Sequence, residues 1–266
     1  MSGRFFVYMG FDPANLRAEA VARRSLLMTA SVPVHVERLI DAQLRSVGLY
    51  YRPYRVEAGG QMFDERDGRP QSTQFSYTRF LVPYLHRRHQ ELQQHYEAKV
   101  LDAPWCLFCD SDVMFRDDVA DLFARVDDRF AVMAVKHPAS VACNFAEGSK
   151  KILGAAQLSY ERKNWSSVML VNSAHPANRV LTPELVSTAH RDWLHGLRWL
   201  EDDLIGELPK EWNWLDGLSP EISREPKLVH YTLGTPDMPR GERRAFRQEW
   251  WAYFEAGQES FSNVIK

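Results

Sequence analysis

The sequence predicts an α/β domain built on a parallel sheet, and three features of the chain support this fold class. A buried strand at 5–9, an amphipathic helix that ends near Ala30 and an alternating strand at 32–36 follow one another. A strand, a helix and a second strand in this order form a βαβ unit, which is typical of parallel sheets. A further apolar strand at 105–108 leads directly to two acidic residues. Because ligands of such sheets bind at the carboxyl ends of strands, we expect a site there.

The composition is that of a globular protein with a packed core. The 266 residues are 45% apolar, which is an ordinary fraction. A formal net charge of −2 argues against a nucleic-acid-binding protein held by bulk electrostatics. No apolar run approaches the roughly 20 residues of a membrane span, and the short run at 5–8 has the wrong flanks for a signal peptide. We therefore expect a soluble, cytoplasmic protein.

The cysteines predict core packing and not a metal or disulfide framework. Cys106, Cys109 and Cys143 are too few for disulfide scaffolding. Cys106 and Cys109 have the spacing of a metal knuckle, but no second pair of Cys or His ligands follows at a suitable spacing. Residues three apart in a strand point to opposite faces. We expect both to be buried thiols in a reducing setting.

The first helix has clear start signals. Asp12 suits its N-cap and Pro13 its first turn. Its apolar face is expected to consist of Leu16, Ala20, Val21, Leu27 and Met28.

The later elements follow from local patterns. Residues 58–73 are rich in Gly, Asp, Arg and Gln, which predicts a loop or a mobile lid. Helices are expected at 76–89, with a polar continuation to about residue 99, and at 183–200. Strands are expected at 131–135, 167–171 and 227–230. No repeat, low-complexity tract or linker interrupts them, so we expect a single domain.

The Asp110-Ser111-Asp112 triplet is the strongest candidate for chemistry. Residues i and i+2 of an extended segment project to the same side, about 7 Å apart. Their carboxylates would offer the hard oxygen ligands that Mg²⁺ or Mn²⁺ shares with substrate phosphates. The simpler interpretation is a solvated acidic turn after a strand.

Several segments resemble glycosyltransferase family 8, retaining enzymes of the GT-A fold. The segment 107–115, Leu-Phe-Cys-Asp-Ser-Asp-Val-Met-Phe, resembles the family's LYLDxDVLV strand. The segment 75–80, Phe-Ser-Tyr-Thr-Arg-Phe, corresponds to a helix whose Arg approaches the nucleotide diphosphate. The segment 165–172 is similar to the family's NAGVLLIN strand, and 200–205 to an acidic or amide-bearing helix start. The segment 230–234, His-Tyr-Thr-Leu-Gly, is similar to the HYxG motif, and all five segments follow the family's order.

The resemblance implies a GT-A-like domain at 1–240, with a mixed, mostly parallel central sheet flanked by helices, and an aromatic-rich helical extension at 241–266. It implies a metal-dependent glycosyltransferase that holds Mn²⁺ or Mg²⁺ through Asp110, Asp112 and His230. The donor would be a nucleotide sugar, expected to be a UDP-hexose, and the acceptor a hydroxyl on a glycan or lipid-linked saccharide.

The resemblance also assigns roles to individual residues. Asp202 takes the catalytic position, with Asp203 as its alternative if the register slips by one residue. Nucleotide-sugar contacts fall to Gly10, Phe11, Asp12, Arg79, Asp110, Ser111 and Gly234. Three of these assignments have a structural alternative: Asp12 as a helix cap, Arg79 as an exposed helix residue, and the 202–203 pair as the acidic first turn of a helix.

The chain departs from the family pattern at three places. Trp165-Ser166-Ser167 replaces Asn-Ala-Gly, so the sugar contact of that Asn is absent or shifted to Asn164 or a serine. One extra residue separates the motif's His from its Gly. The Lys that follows this motif in the family has no equivalent before Arg240.

Other functions and other uses of the aromatic residues remain open. A Mg²⁺-dependent phosphotransferase or phosphatase could use Asp-Ser-Asp. Haloacid-dehalogenase-like enzymes, however, usually have this triplet after the first strand and follow it with Thr, whereas here it lies at 110–112 and is followed by Val113-Met114. A non-catalytic nucleotide-sugar-binding module would keep the same residues. The tryptophans 212, 214, 250 and 251 are expected in core packing, with sugar stacking as the alternative. The aromatic run at 250–254, near three arginines, could instead rest on a membrane surface.

Overall fold

The computed structural model describes residues 5–95, 103–142, 162–220 and 225–264. Over these ranges the chain forms twelve strands: β1 (Phe5–Gly10), β2 (Val34–Leu39), β3 (Tyr54–Val56), β4 (Met62–Asp64), β5 (Arg69–Gln71), β6 (Trp105–Cys109), β7 (Val113–Phe115), β8 (Val132–Ala134), β9 (Val168–Asn172), β10 (Ile205–Glu207), β11 (Trp214–Leu215) and β12 (Leu228–His230). The α-helices of these ranges are α1 (Leu16–Thr29), α2 (Asp41–Ser46), α3 (Val82–His95), α4 (Ala120–Phe123), α5 (Ala139–Ala142), α6 (Pro183–Thr188), α7 (Arg191–His195) and α8 (Arg247–Val264).

The central sheet contains six strands in the order β10-β8-β9-β6-β1-β2. Strands β2, β1 and β6 pair in parallel, and so do β10 and β8. Strand β9 is antiparallel to both β6 and β8, so it alone runs against the other five. The predicted α/β fold with a mixed, mostly parallel sheet is confirmed.

Strand β6 lies in the middle of this sheet and is buried on both faces. Cys106 and Phe108 belong to the hydrophobic cluster on one face, and Leu107 and Cys109 to the cluster on the other. The predicted burial of Cys106 and Cys109 on opposite faces is confirmed, and burial raises the pKa of both thiols well above its usual value. Cys143 lies outside the described residues. The burial of β6 fixes the position where the following acidic triplet leaves the sheet.

Asp12 caps the 3-10 turn Pro13–Asn15 that precedes helix α1, and not α1 itself, and α1 buries a different face from the expected one. The Asp12 carboxylate accepts the Ala14 backbone N–H at 2.9 Å. Leu16, Leu27 and Met28 are exposed, and the buried positions are Ala18, Glu19, Val21, Ala22, Ser25 and Leu26. The expected apolar face was wrong because α1 lies close to the sheet through small residues. Ser25, buried in this contact, accepts the Phe115 backbone N–H at 3.0 Å.

The expected loop at 58–73 is wrong at Met62–Asp64 and Arg69–Gln71, because these residues form β4 and β5, which join β3 in an antiparallel three-stranded sheet. A buried ion pair secures this small sheet: the Arg52 guanidinium donates to both carboxylate oxygens of Asp64, at 3.0 and 2.7 Å. Tyr77 Oη donates to the same carboxylate at 2.9 Å. Each strand is only three residues long, which is too short for hydrophobic alternation to reveal it.

The expected helix at 183–200 is divided into α6 and α7, and each begins with its own cap. The Thr182 hydroxyl accepts the Leu185 N–H, and the His190 ring accepts the Asp192 N–H. Each cap begins a separate short helix. Helix α7 then packs against the aromatic residues of 75–80.

The C-terminal helix α8 packs against α1 and the smaller sheet β11-β12-β7. Trp250 is fully buried with Val21, Met114 and Tyr231, while Trp251 is half-buried beside it. Trp212 is also fully buried, so core packing is confirmed for Trp212 and Trp250. No helix in the described ranges is both long enough and apolar enough to traverse a bilayer. The membrane contact and the boundary at residue 240 stay predictions.

Candidate functional site

The acidic triplet lies between β6 and β7, at the carboxyl end of the central sheet. Its backbone is held on both sides: the Asp110 N–H donates to Ser167 O at 2.8 Å, and Asp112 O accepts the Tyr231 N–H at 2.9 Å. The Asp110 side chain is 14% exposed and that of Asp112 is 27% exposed. The two carboxylates therefore face a cleft and not bulk solvent.

His230 reaches these carboxylates through strand pairing. Strand β12 is antiparallel to β7, and His230 is the register partner of Val113, the residue after Asp112. His230 Nε2 lies 3.3 Å from Asp112 Oδ1 and 3.9 Å from Asp110 Oδ2. One ligand atom of each of the three residues lies within 4.8 Å of the others. Among the described residues, Asp110, Asp112 and His230 form the group of acidic, His or Cys side chains that lie close enough together to hold a metal ion.

The chemistry of this donor set fits a divalent cation. Two carboxylates supply hard oxygen atoms and the imidazole supplies one nitrogen, a combination that suits Mn²⁺ and is acceptable to Mg²⁺. The His230 ring is 2% exposed and its Nδ1 contacts Asn213 Oδ1 at 3.1 Å. The ring is thus held with Nε2 toward the carboxylates.

Arg79 lies in this site, where its guanidinium is engaged by the protein. Its Nη1 forms a 2.8 Å ion pair with Asp110 Oδ1 and donates to Ser166 O at 2.9 Å. The side chain is 7% exposed and lies between the rings of Phe75 and Phe108. Arg79 therefore orients the Asp110 side chain, and it also lines a pocket beside the acidic triplet.

A pocket with an empty volume of about 530 Å³ opens beside the acidic triplet. Its lining is polar and comes from the loop before α3, the triplet and the turn before β9. The lining residues are Asn15, Ser72, Thr73, Phe75, Ser76, Arg79, Asp110, Ser111, Asp112, Asn164, Ser166, Ser167 and His195. A second pocket of about 980 Å³ shares Asn15 and Ser72 with it. The second pocket is bordered by residues 12–14 and by the small sheet β3-β4-β5, so the two form one continuous cleft.

Three predicted nucleotide-sugar ligands follow β1, and the structure gives them local roles. A Cβ atom on Gly10 would overlap the Phe75 ring, so glycine is needed for packing there. The Arg38 guanidinium lies 5.1 Å from the centre of the half-buried Phe11 ring. Asp12 caps the turn at Pro13–Asn15 and also accepts the Gln74 N–H at 3.0 Å. Of the three, Asp12 borders the larger pocket.

Ser111 and Gly234 occupy different surroundings. Ser111 is 1% exposed and lines the smaller pocket. Gly234 closes the turn after β12, where its N–H donates to Tyr231 O at 2.9 Å. Its φ of +109° lies in a region that favours glycine. Gly234 lines neither of the two pockets.

The predicted catalytic residues Asp202 and Asp203 line neither of the two described pockets. Both are exposed and lie in a short turn before β10, which is an edge strand of the sheet. Asp202 forms an ion pair with Arg162. Arg162 also donates to the carbonyls of Gly196 and Leu197, which follow the pocket residue His195. The catalytic role of Asp202 and Asp203 stays a prediction without geometric support.

The segment between β9 and β10 instead places His195 on the pocket. His195 Nδ1 lies 3.3 Å from Ser166 Oγ, and the rings of Tyr77 and Phe80 pack against the imidazole. Burial, together with the positive charge of Arg79, holds the pKa of His195 well below its usual value. The ring is therefore neutral. Sequence reasoning missed it because a lone His in a short helix carries no motif.

The residues that replace Asn-Ala-Gly, Trp165–Ser167, form the turn before β9. Asn164 adopts φ = +64°, an uncommon conformation for a residue other than glycine. Its carbonyl accepts the Ser167 hydroxyl at 2.7 Å. Asn164 and Ser166 both line the smaller pocket, and their contact with a sugar stays a prediction.

The order and direction of the strands, with an acidic cluster at the carboxyl end of β6, define the GT-A-like fold of glycosyltransferases. The bifunctional glycosyltransferase WbbM is 15% identical with a TM-score of 0.59, over 96% of this chain and 50% of WbbM. GlyE of Streptococcus pneumoniae TIGR4 is 18% identical with a TM-score of 0.54, over 99% of this chain and 64% of GlyE. The chain thus spans half of WbbM and less than two thirds of GlyE. The galactosyltransferase LgtC is 13% identical with a TM-score of 0.51, over 95% of this chain and 96% of LgtC.

The chain belongs to the same family as Protein CDI of Arabidopsis thaliana. The two are 36% identical over 236 residues, which cover 87% of this chain and 79% of the plant protein. No family model matches the chain. Membership of glycosyltransferase family 8 in particular stays a prediction.

Proposed function

We propose that the protein is a metal-dependent glycosyltransferase that moves a sugar from a nucleotide-sugar donor to a hydroxyl acceptor. The observation that carries this proposal is the convergence of Asp110, Asp112 and His230 within 4.8 Å. The convergence occurs beside a polar cleft, on a GT-A-like fold. A divalent ion, Mn²⁺ or Mg²⁺, would supply charge neutralisation of the departing diphosphate when bound.

The division of the cleft suggests how a donor would lie. The larger pocket, between the turn after β1 and the small sheet, has room for a base and ribose. The smaller pocket contains the acidic triplet and Arg79, which suit the diphosphate, together with hydroxyl, amide and imidazole groups. We assign the sugar to this polar end, near Asn164, Ser166 and His195. A UDP-hexose is the donor that the family resemblance favours, with retention of the anomeric configuration.

The residues around the reacting centre have separate tasks in this proposal. Arg79 fixes the Asp110 carboxylate through their 2.8 Å ion pair. The neutral His195 and the Ser166 hydroxyl can hydrogen-bond sugar hydroxyls without adding charge. The proton of the acceptor hydroxyl would pass to the leaving phosphate oxygen. The family resemblance gives Asp202, with Asp203 as its alternative, as the catalytic residue of this transfer.

Donor hydrolysis tests this function without knowledge of the acceptor. Purified protein is incubated with a panel of UDP-, GDP- and dTDP-sugars and Mn²⁺, and release of free nucleotide is measured. We expect release from at least one donor, and loss of release after chelation of the metal. Asp112→Asn should abolish it, because one ligand charge is lost. Asp127→Asn, in a turn far from the cleft, is the matched control and should retain activity.

The same assay separates two alternatives. If a donor binds but none of the tested donors is turned over, even with added hydroxyl acceptors, the protein is a non-catalytic nucleotide-sugar-binding module. Release of phosphate from simple monoesters would indicate the Mg²⁺-dependent phosphatase. Either result would contradict the proposed sugar transfer to a saccharide or lipid-linked hydroxyl.

A further inference from the structure

A hydrogen-bonded relay lies behind His230, on the side of the ring away from the carboxylates. Asn213 is fully buried, and its side-chain amide lies between the turn before β9 and the end of β12. Asn213 Nδ2 is 3.0 Å from Ser167 Oγ and 3.3 Å from Asn164 O. Asn213 Oδ1 is 3.1 Å from His230 Nδ1.

The orientation of the Asn213 amide follows from its partners. A carbonyl oxygen can only accept, so Asn164 O must face the NH₂ group. The Ser167 hydroxyl donates its hydrogen to the same carbonyl at 2.7 Å, which leaves its oxygen free to accept from Asn213 as well. Both contacts require the NH₂ group on this side. The amide oxygen must therefore face His230.

This orientation determines which nitrogen of the neutral imidazole ring carries the proton. A hydrogen bond to the Asn213 oxygen requires a proton on Nδ1, because two acceptors cannot bind each other. In the neutral ring, Nε2 then carries the lone pair. That lone pair points to the carboxylates of Asp112 and Asp110, at 3.3 and 3.9 Å. A nitrogen lone pair beside two carboxylates is repulsive unless a cation lies between them or Nε2 is itself protonated.

We infer that Asn213 is a positioning residue that fixes His230 in the tautomer able to bind a metal ion through Nε2. Outer partners of metal-binding histidines orient the ring and raise its basicity in this way. The inference rests on the proposed function, because it assumes that His230 is a ligand. It adds the turn at Lys210–Asn213 and, through Asn164, the turn before β9 to the parts of the chain that determine metal affinity.

Metal affinity of the Asn213 variants tests this inference without any donor or acceptor. Binding of Mn²⁺ is measured by electron paramagnetic resonance of the free ion. We expect Asn213→Leu to lower the affinity by about ten- to a hundred-fold, the usual cost of losing such a partner. Asn213→Asp keeps an oxygen that faces Nδ1 and should retain most of the affinity.

A matched control distinguishes loss of the relay from general loss of packing. Asn178 is also fully buried, but it donates to the carbonyls of Ala131 and Asn172. Asn178→Leu should lower stability without lowering Mn²⁺ affinity. If Asn213→Leu folds and binds Mn²⁺ as the wild type does, the inference is wrong.

Nitrogen-15 NMR of the imidazole rings gives a readout that needs neither metal nor a folded leucine variant. In the metal-free wild type at alkaline pH, we expect the His230 proton on Nδ1. A proton on Nε2 would overturn the inference. If the wild type binds no Mn²⁺ but shows the Nδ1–H tautomer, the metal part of the proposed function fails while the tautomer assignment holds.

Discussion

At the scale of single residues, the site depends on how charges are compensated in a partly buried cleft. Asp110 and Asp112 lie close together, and His230 faces both of them. Arg79 provides one positive charge at 2.8 Å from Asp110. A buried ion pair costs desolvation of both partners, and removing one partner leaves the other charge uncompensated.

Substitution of Arg79 tests this compensation. We expect Arg79→Met to lower the free energy of unfolding by about 3–5 kcal/mol in the absence of metal, because the Asp110 carboxylate loses its buried partner. Saturating Mn²⁺ should recover part of this loss, so the metal-induced rise in melting temperature should be larger in the variant than in the wild type. Arg79→Lys keeps the charge and should lose less. An equal metal-induced rise in Arg79→Met and wild type would contradict this account.

His86 makes the stability of the fold dependent on pH. Burial lowers the pKa of His86 to about 4 in the folded protein, whereas an unfolded His titrates near 6.5. Below 6.5 the unfolded chain therefore binds the proton more readily. Stability falls as the pH is lowered from about 6.5 to 4, by about 3 kcal/mol in total.

Replacement of His86 by Phe should remove this part of the pH dependence. Urea unfolding at a series of pH values between 7 and 4 measures it. Leu85→Ala removes packing from the same helix without removing a titrating group, so it should shift the whole curve and keep its slope. A slope that is unchanged in His86→Phe would contradict the prediction.

At the scale of elements, close contacts between segments set the shape of the cleft. The end of β1 touches the segment before α3, because Gly10 lies under the Phe75 ring. The small sheet is secured by Arg52 and Asp64, and it borders the larger pocket. Neither contact involves residues adjacent in sequence.

Gly10→Ala tests the contact between β1 and Phe75. The added methyl group would overlap the ring, so we expect a loss of about 1–3 kcal/mol in the free energy of unfolding. Phe75 lines the smaller pocket, so donor affinity should fall as well. The double variant with Phe75→Leu should recover stability, because leucine leaves space for the methyl group. Additive losses in the double variant would argue against this contact.

At the scale of the whole molecule, the C-terminal helix is part of the hydrophobic core. Trp250 is fully buried between α8, α1 and the sheet that carries His230. We expect Trp250→Ala to cost about 3–5 kcal/mol, and to weaken Mn²⁺ binding through displacement of β12. Trp251→Ala, at the half-buried neighbour, should cost less.

A truncated chain tests the predicted domain boundary at residue 240. If a chain ending at residue 240 folds and binds Mn²⁺ normally, helix α8 is an extension of the domain, as that boundary predicts.

The sequence by itself determined the features that depend on local patterns. The βαβ unit, the buried β6, the cap at Asp12 and the acidic triplet are each encoded within a few consecutive residues. The face of α1 was not, because contact through small residues hides the apolar pattern. The strands of the small sheet were missed because an ion pair, and not alternation, secures them.

Only the tertiary structure decided which distant residues meet at the triplet. His230 comes beside Asp112 because β12 pairs with β7 in a fixed register, although the motif order had suggested this ligand. Asn213 and His195 carry no sequence motif, and the fold alone brings them to His230 and to the pocket. Asp202 and Asp203 match a motif, but they lie before an edge strand and line neither of the two described pockets. Local patterns fix backbone conformation, whereas a site is fixed by strand order and register, which depend on contacts across the whole chain.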